Sequence, residues 1–500
     1  MSRWFSFIHR FFKITHSQMK TYLLFVLLAI VLNGYGQKIP WKLSSPEAQE
    51  MSSLALSNGI KELQQTGTNI HSLLIVRNNH VVLDADFYPY RQQYAHDLAS
   101  VTKSVMSLLI GIAIDKGFIS SELDTVVNYF PEHTIKNNAL KILTIKDLLN
   151  MASGFQCSLA NGEQELEQMQ NQTDWAEFML DLPFSTKPGE KFSYCSGNFY
   201  LLAVILQRAT KMKCHDFARK YLFDTLKFGP TYWEENKKGV NHGWGDLYLL
   251  PYDLAKIGFL LLQEGKWNQK QVVSAKWIQK IQALYPAKGT ESYGYGWWFD
   301  SENPDEIQAI GRGGQRLFVL KDQHVVIVTT GGGFNAGEID NLVVNAIAAY
   351  QPGENRYAEL LQQLKLTRLP DTGGGRENNF SVSMLNKTFR LENNALEIAA
   401  FRFEKGRTDY YLILELDDGG KQKLAMGMGN RYVLSHEHLF GLPVALRSSW
   451  EKGKLLVDYN SLSGIDLYRF TFVFNKETVD FKAEDRTNKR NLFLKARVAN

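Results

Sequence analysis

A hydroxyl three residues before an amine lies on the same face of a helix, where the amine can take the hydroxyl proton and free the oxygen to attack a carbonyl. The chain has this spacing at Ser17/Lys20, Ser100/Lys103 and Ser449/Lys452, so spacing alone does not choose among them. The surroundings do. Ser17 lies in a basic N-terminal stretch and Ser449 in a polar part of the C-terminal region. Ser100 opens an apolar run, Leu98 to Ile114, that stops at Lys116-Gly117. That pattern is a buried helix with a basic last turn and a C-cap glycine, and the unpaired N–H groups of its first turn suit an oxyanion. The competing use of Ser100 is a plain N-cap.

The 500 residues are 44% hydrophobic and 22% charged, which excludes wholesale disorder, collagen and coiled coil. The net charge of +4 comes from Arg3, Arg10, Lys13 and Lys20, all before Gln37; removing these 4 from 56 basic residues leaves 52 against 52 acidic ones. No global cationic field is left to seek nucleic acid. Cys157, Cys195 and Cys214 allow one disulfide at most and have no metal-ligand spacing. Cys195 has no histidine base in its frame and reads as a small buried side chain. His436-Glu437-His438 would alternate faces on a strand and has no third ligand in view. Neither metal nor organic cofactor is expected.

The elements that must position Ser100 and Lys103 follow a leader. Tyr22 to Leu32 is an apolar run of secretory length, followed by Gly34 and Gly36 before Gln37. Residues 1–36 therefore read as a signal peptide, giving an exported, periplasmic or secreted protein with no membrane span after cleavage. Two strands, His71 to Arg77 and Val81 to Phe87, meet at Asn78-Asn79. Helices are expected at Ile145 to Met151, Phe199 to Ala209, Pro251 to Glu264, Ala275 to Ala283 and Ile339 to Tyr350. Strands return at Gly296 to Phe299, Arg316 to Lys321 and Val325 to Thr330. Strands at both ends with helices between predict an α+β domain over 37–352, one sheet closed by its two chain ends. Residues 353–379 read as a linker, with Pro370 to Asn379 rich in turn formers, and 380–500 as an all-β barrel or sandwich.

Leu98-Ala99-Ser100-Val101-Thr102-Lys103-Ser104-Val105 resembles the first motif of the serine β-lactamase and penicillin-binding superfamily, in its class C-like branch. Further segments resemble that family in its own order: Leu148 to Gly154, Lys187 to Ser196, Gly243-Trp244-Gly245 with Pro251 to Gly258, Tyr293 to Trp298, and Gly311 to Gln315. The resemblance covers about residues 40 to 350 and implies a β-lactamase/transpeptidase-like fold, an antiparallel sheet flanked by helices. It implies Ser100 as the acylated nucleophile, Lys103 as its proton acceptor and Tyr194 as the phenol that serves the leaving group and the deacylating water. Substrate contacts would come from Ser196, Arg312, Gly314 and Gln315, with the N–H groups of Ser100 and Gln315 as oxyanion hole. Two positions depart from the family: Ser196 stands where it has Asn, and Arg312 where it has Lys or His. The pattern is most similar to 6-aminohexanoate-dimer hydrolases and related esterases. The implied activity is opening of an amide or ester in a small molecule or peptide; the alternative is a penicillin-recognising sensor that acylates without turnover. The sequence leaves protein partners open.

Overall fold

The computed structural model describes residues 41–157, 163–283, 292–300, 305–370, 384–394, 396–407, 409–429, 431–439, 442–475, 477–487 and 490–499. The expected leader, Ser17/Lys20, residues 371–379 of the expected linker and the side chains of 436–438 lie outside the described set. Two compact units form: Trp41–Ala85 with Ala95–Leu360, and Asp86–Tyr94 with Leu361–Asn500.

The first unit is built on eight strands: β1 (Lys42–Leu43), β2 (Ile70–Arg77), β3 (His80–Asp86), β4 (Tyr293–Gly294), β5 (Trp297–Phe299), β6 (Glu306–Gly311), β7 (Gln315–Leu320) and β8 (Val325–Gly331). Their order is β1-β3-β2-β8-β7-β6-β5-β4, so strands from the two ends of this unit do meet, β2 lying antiparallel beside β8. Asn78 and Asn79 turn between β2 and β3 with φ of 48° and 63°, the paired positive values that a tight hairpin demands and that Asn tolerates. Strands β2, β7 and β8 are buried at every position, which is why they read as unbroken apolar runs rather than alternating ones.

Three helices position the site or brace the sheet behind it: α1 (Val101–Asp115), α2 (Ser196–Thr210) and α3 (Pro251–Leu262). Every residue of α1 from Val101 to Ala113 is buried, as expected of a helix that is apolar all round. Helix α3 lies directly on the sheet; a Cβ at Gly258 would stand 2.7 Å from Val326 Cγ1 and 2.8 Å from Leu317 Cδ1. The same helix carries a buried ion pair, Lys256 to Asp253 at 2.7 Å. The Asp253 carboxylate also accepts the N–H of Gly229 at 2.9 Å, and Lys256 also donates to the carbonyl of Lys227 at 2.8 Å. Every partner there is satisfied, the condition under which a buried charge pair is tolerated.

The second unit is a closed ten-stranded barrel running from Thr388–Leu391 to Arg490–Val498. Lys421–Met428 closes it by pairing on one side with Tyr410–Leu416 and on the other, in parallel, with Leu442–Glu451. Phenylalanines fill the interior: Phe401, Phe403 and Phe481 each place a ring centroid 5.0 to 5.2 Å from that of Phe472. Two expectations need correction. The segment read as a linker, 353–379, contains a helix, Tyr357–Thr367. Residues 86–94, inside the range assigned to the first domain, belong to the barrel unit. There Tyr90 is buried with Ala445 and Leu462, and the Tyr88 hydroxyl donates to the carbonyl of Tyr432 at 3.0 Å while accepting its N–H at 2.6 Å. Aromatic side chains in a short excursion follow no period, so pattern reading cannot assign them to a distant core.

Gly258→Val should lower the melting temperature of the purified protein by several degrees, corresponding to about 1 to 3 kcal/mol of overpacking between α3 and strands β7 and β8. An unchanged unfolding curve would contradict that contact.

Candidate active site

The chain enters the site through a short strand, His96–Asp97, whose Asp97 carboxylate accepts the N–H of Ala99 at 2.8 Å. Ala99 has a φ of 45°, a left-handed conformation costly for a residue with a Cβ, and it delivers Ser100 to the N-cap of α1. No side-chain cap bond is made by Ser100, so its hydroxyl is not occupied by the plain capping role. One turn on, the amine of Lys103, 2% exposed, donates to Ser100 Oγ at 2.8 Å and to the carbonyl of Trp244 at 2.9 Å. That carbonyl is held by its neighbours. The Trp244 ring stacks on His242 at 4.5 Å and 13°, and the Trp233 indole donates to the carbonyls of His242 and Gly245 at 2.6 and 3.2 Å. His242 Nδ1 is in turn 2.6 Å from a carboxylate oxygen of Asp246.

Behind α1 the chain passes through Gly296, with φ of 82°, where a Cβ would lie 3.0 Å from the Lys103 carbonyl oxygen. Ser104 donates to the Gly296 carbonyl at 2.6 Å, the Gly296 N–H reaches the Leu149 carbonyl at 3.0 Å, and the Tyr295 N–H reaches the Asn150 side chain at 2.8 Å. Thus the segments Leu148 to Gly154 and Tyr293 to Trp298, distant in sequence, form one backing for the serine helix. Of the two tryptophans there, Trp297 is fully buried, whereas Trp298 is partly exposed and stacks on Tyr194 at 6.2 Å and 16°.

Tyr194 comes into the site from a loop. Its ring centroid lies 5.0 Å from Lys103 Nζ, with Tyr293 edge-on at 6.4 Å and 70°. Burial pushes the Tyr293 phenol far above its ordinary range, with the neighbouring Tyr194 adding to the effect, so Tyr293 stays neutral beside it. Ser196, the first residue of α2, is buried, and its N–H donates to the carboxylate of Glu163 at 2.9 Å. Cys195 is not the simple buried side chain that its frame suggested: it forms a disulfide with Cys157, leaving Cys214 free and buried. Nothing in the spacing of three cysteines pointed to that pair; contact between the Leu148–Gly154 region and the Tyr194 loop creates it.

On the other side of Ser100, a turn between β6 and β7 carries Arg312, exposed, then Gly313 and Gly314 at φ of 85° and 93°. It abuts the residue before Ser100, since a Cβ at Gly311 would fall 2.5 Å from the Leu98 carbonyl oxygen and 3.2 Å from Ala99 Cβ. The Gln315 side chain is spent on structure, donating to the Gly331 carbonyl at 2.6 Å and accepting the Gly331 N–H at 3.1 Å. Ser100, Lys103 and Tyr194 are thereby brought together, with Ser196 beginning the helix that follows Tyr194 and the Arg312–Gln315 turn against Ala99. Ser449 is different: it lies on a barrel strand and Lys452 in the following turn, so that pair shares no helical face.

Sequence reasoning missed three supports: Glu163, the Trp244 carbonyl that accepts from the amine, and the disulfide. It also missed a buried histidine pair. His71 Nδ1 on β2 lies 2.8 Å from His96 Nε2, and His96 Nδ1 lies 2.9 Å from the Asp97 carbonyl, directly behind the entry to Ser100. Glu234, His242 and Asp246 bring possible metal donors within 4.8 Å of one another, but the close His242–Asp246 contact already serves the Trp244 loop.

Residues 60–348 match the beta-lactamase family. The chain is similar to the 6-aminohexanoate-dimer hydrolase of Paenarthrobacter ureafaciens, at 25% identity over 299 residues, 55% of this chain and 76% of that one. Among solved structures, its fold is similar to that of EstCE1, a hydrolase with promiscuous acyltransferase activity, at a TM-score of 0.50 and 13% identity over 59% of this chain and 99% of that one.

The histidine pair makes a pH prediction. Burial first, then the neighbouring His96, holds His71 well below the usual histidine range, so the folded protein keeps it neutral. As pH falls below about 6.5 the unfolded chain binds a proton that the folded chain refuses, and stability drops by about 1.4 kcal/mol per pH unit until the folded value is reached. His71→Gln should therefore flatten the fall in urea midpoint between neutral pH and pH ~5.5. Equal slopes in both proteins would show that His71 is not the group responsible.

Proposed function

This chain belongs to the beta-lactamase family, and from that premise we propose that it is an exported serine hydrolase opening an amide or ester bond through an acyl-enzyme on Ser100. The observation that carries the reading is the 2.8 Å contact from the buried Lys103 amine to Ser100 Oγ at the start of a helix. In the mechanism the Lys103 amine takes the hydroxyl proton as Oγ attacks the carbonyl carbon. The N–H groups of Ser100 and Gln315 receive the developing oxyanion. Tyr194, beside the Lys103 amine, passes a proton to the departing amine or alcohol; it then takes one from the water that attacks the acyl-enzyme, while Lys103 returns its proton to Ser100 Oγ as the acid leaves, restoring all three residues. Ser196 and Gly314 flank the substrate path. No metal or organic cofactor enters the scheme, and a small molecule or peptide is its substrate.

Export rests on the leader at 1–36 and on the Cys157–Cys195 disulfide, a bond that persists in oxidising compartments. The relative's name, a 6-aminohexanoate-dimer hydrolase, favours a linear amide as the first substrate to try.

Intact-mass analysis after incubation with an activated ester and with a penicillin tests the scheme. Ser100→Ala should abolish the acyl adduct, Tyr194→Phe should slow turnover by about 10²- to 10⁴-fold, and Ser449→Ala should be silent. Full activity in Ser100→Ala would overturn the mechanism. A penicillin adduct stable for hours, with no turnover of any ester or amide, would favour the sensor that acylates without release.

Arg312 sets the second test. Its guanidinium opens the turn that carries Gln315, within reach of a carboxylate a few bonds from the scissile group, and a planar fork binds carboxylate by two parallel bonds. Because Arg312 is exposed, Arg312→Ala should lower kcat/KM by only about tenfold on a substrate ending in carboxylate, and much less on its methyl ester. Equal losses on both would assign Arg312 to structure.

A further inference from the structure

The groups on α1 are placed by a continuous helix, but Tyr194 sits on a loop, and a phenol that must shuttle protons needs its place fixed to within a fraction of an ångström. The loop is fastened on both sides of Tyr194. Before it, the Ser193 N–H donates to the Met151 carbonyl at 2.7 Å and the Ser193 hydroxyl to the Cys157 carbonyl at 2.5 Å. After it, the Cys195 N–H meets Met151 Sδ at 3.4 Å and the Ser196 N–H meets the Glu163 carboxylate at 2.9 Å. The covalent tie is at the adjoining residue, where Cys195 is bonded to Cys157 with their Cα atoms 5.5 Å apart. Cys157 therefore grips the segment twice, through its carbonyl to the residue before Tyr194 and through its sulfur to the residue after it.

We propose that Cys157 and Cys195 are positioning residues for the hydrolytic reaction, their disulfide locking Tyr194 against Lys103 and Trp298. The bond ties the loop to the chain that follows the Leu148 to Gly154 segment, and that segment is itself anchored to Tyr295 and Gly296 behind the serine helix. Tyr194 and Ser100 are thus referred to one frame. The ring contacts of Tyr194 with Trp298 and Tyr293 set its plane but leave it free to slide, since stacked rings tolerate lateral offset. The disulfide and the two Ser193 bonds remove that freedom.

The inference rests on the reading of Tyr194 as an acid–base group, and the test separates the two. Cys157→Ser/Cys195→Ser is prepared in the full chain, alone and combined with Tyr194→Phe, and kcat, KM and acyl-enzyme lifetime are measured on an activated ester. Circular dichroism and melting curves identify the folded fraction. The untreated protein exposed to dithiothreitol gives a second route to the open form, two reagent thiols being oxidised to a disulfide as the two cysteine thiols form. The double serine variant should lose roughly 10- to 100-fold in kcat with little change in KM. In the Tyr194→Phe background the same change should cost almost nothing, because there is no phenol left to place. An equal further loss in the Tyr194→Phe background, or full activity of the reduced or serine-substituted protein, would overturn the positioning role. Full activity of Tyr194→Phe itself would overturn the reading of Tyr194 and the positioning role with it. If the serine variant does not fold, the dithiothreitol-treated protein, compared with treated Tyr194→Phe, decides by the same criterion.

Discussion

A lysine amine buried to 2% exposure and placed 2.8 Å from a serine hydroxyl is the constraint around which this molecule is arranged. Burying that amine is costly unless its hydrogens find acceptors, and the fold supplies them from two sources: Ser100, one turn earlier on α1, and the Trp244 carbonyl. The second source explains much of the surrounding structure. To present one carbonyl, the Gly243-Trp244-Gly245 loop is clamped by a stacked histidine, a tryptophan indole and a histidine–aspartate contact. The Ser100–Lys103 contact thus depends on a residue well over a hundred positions away.

The same demand shapes the backbone. Ser100 can stand at the head of a buried helix only if the chain enters at a sharp angle, which Ala99 achieves at a positive φ. That strain is held by neighbours on each side: the Asp97 carboxylate on its N–H, the His71–His96 pair behind the entering strand, and the close approach of Gly311 from the sheet. Gly296 allows the Tyr293 to Trp298 segment to run against the back of the helix, where any Cβ would crowd the Lys103 carbonyl. The histidine pair and the approaches of Gly311 and Gly296 are contacts between sequence-distant elements, whereas the Asp97 bond to Ala99 is local.

This division explains which parts of the molecule are legible in its sequence. Helix α1, the hairpin at Asn78-Asn79, the buried strands β7 and β8 and the barrel strand Leu467–Phe474 each announce themselves by local period, turn chemistry or apolar runs. Ser100 and Lys103 stand out by their spacing and the apolar run behind them, and Tyr194 by the resemblance of its frame to a family motif. The supports are not: Glu163 against the Ser196 N–H, Trp244 against Lys103, His71 against His96 and Cys157 against Cys195 pair residues whose separations follow no period. The excursion at 86–94 is illegible for the same reason, since Tyr90 finds its burial beside Ala445 and Leu462.

The supports are distributed according to how each functional group is carried. Ser100 and Lys103 share one helix, whose backbone hydrogen bonds fix their separation once the helix is buried, and burial is complete from Val101 to Ala113. Little more is needed there than an entry strand and one distant carbonyl. Tyr194 has no such element; it lies between Ser193 and Cys195 in irregular backbone just before α2 begins. Position must then come from side chains: the disulfide, the Ser193 hydroxyl, the Met151 thioether and the Glu163 carboxylate all hold the segment Ser193 to Ser196. Under the proposed reaction, a loop-borne phenol that serves both acylation and deacylation has to meet proton donors and acceptors in one place. The ties concentrate around Tyr194 rather than around Ser100, as that requirement implies.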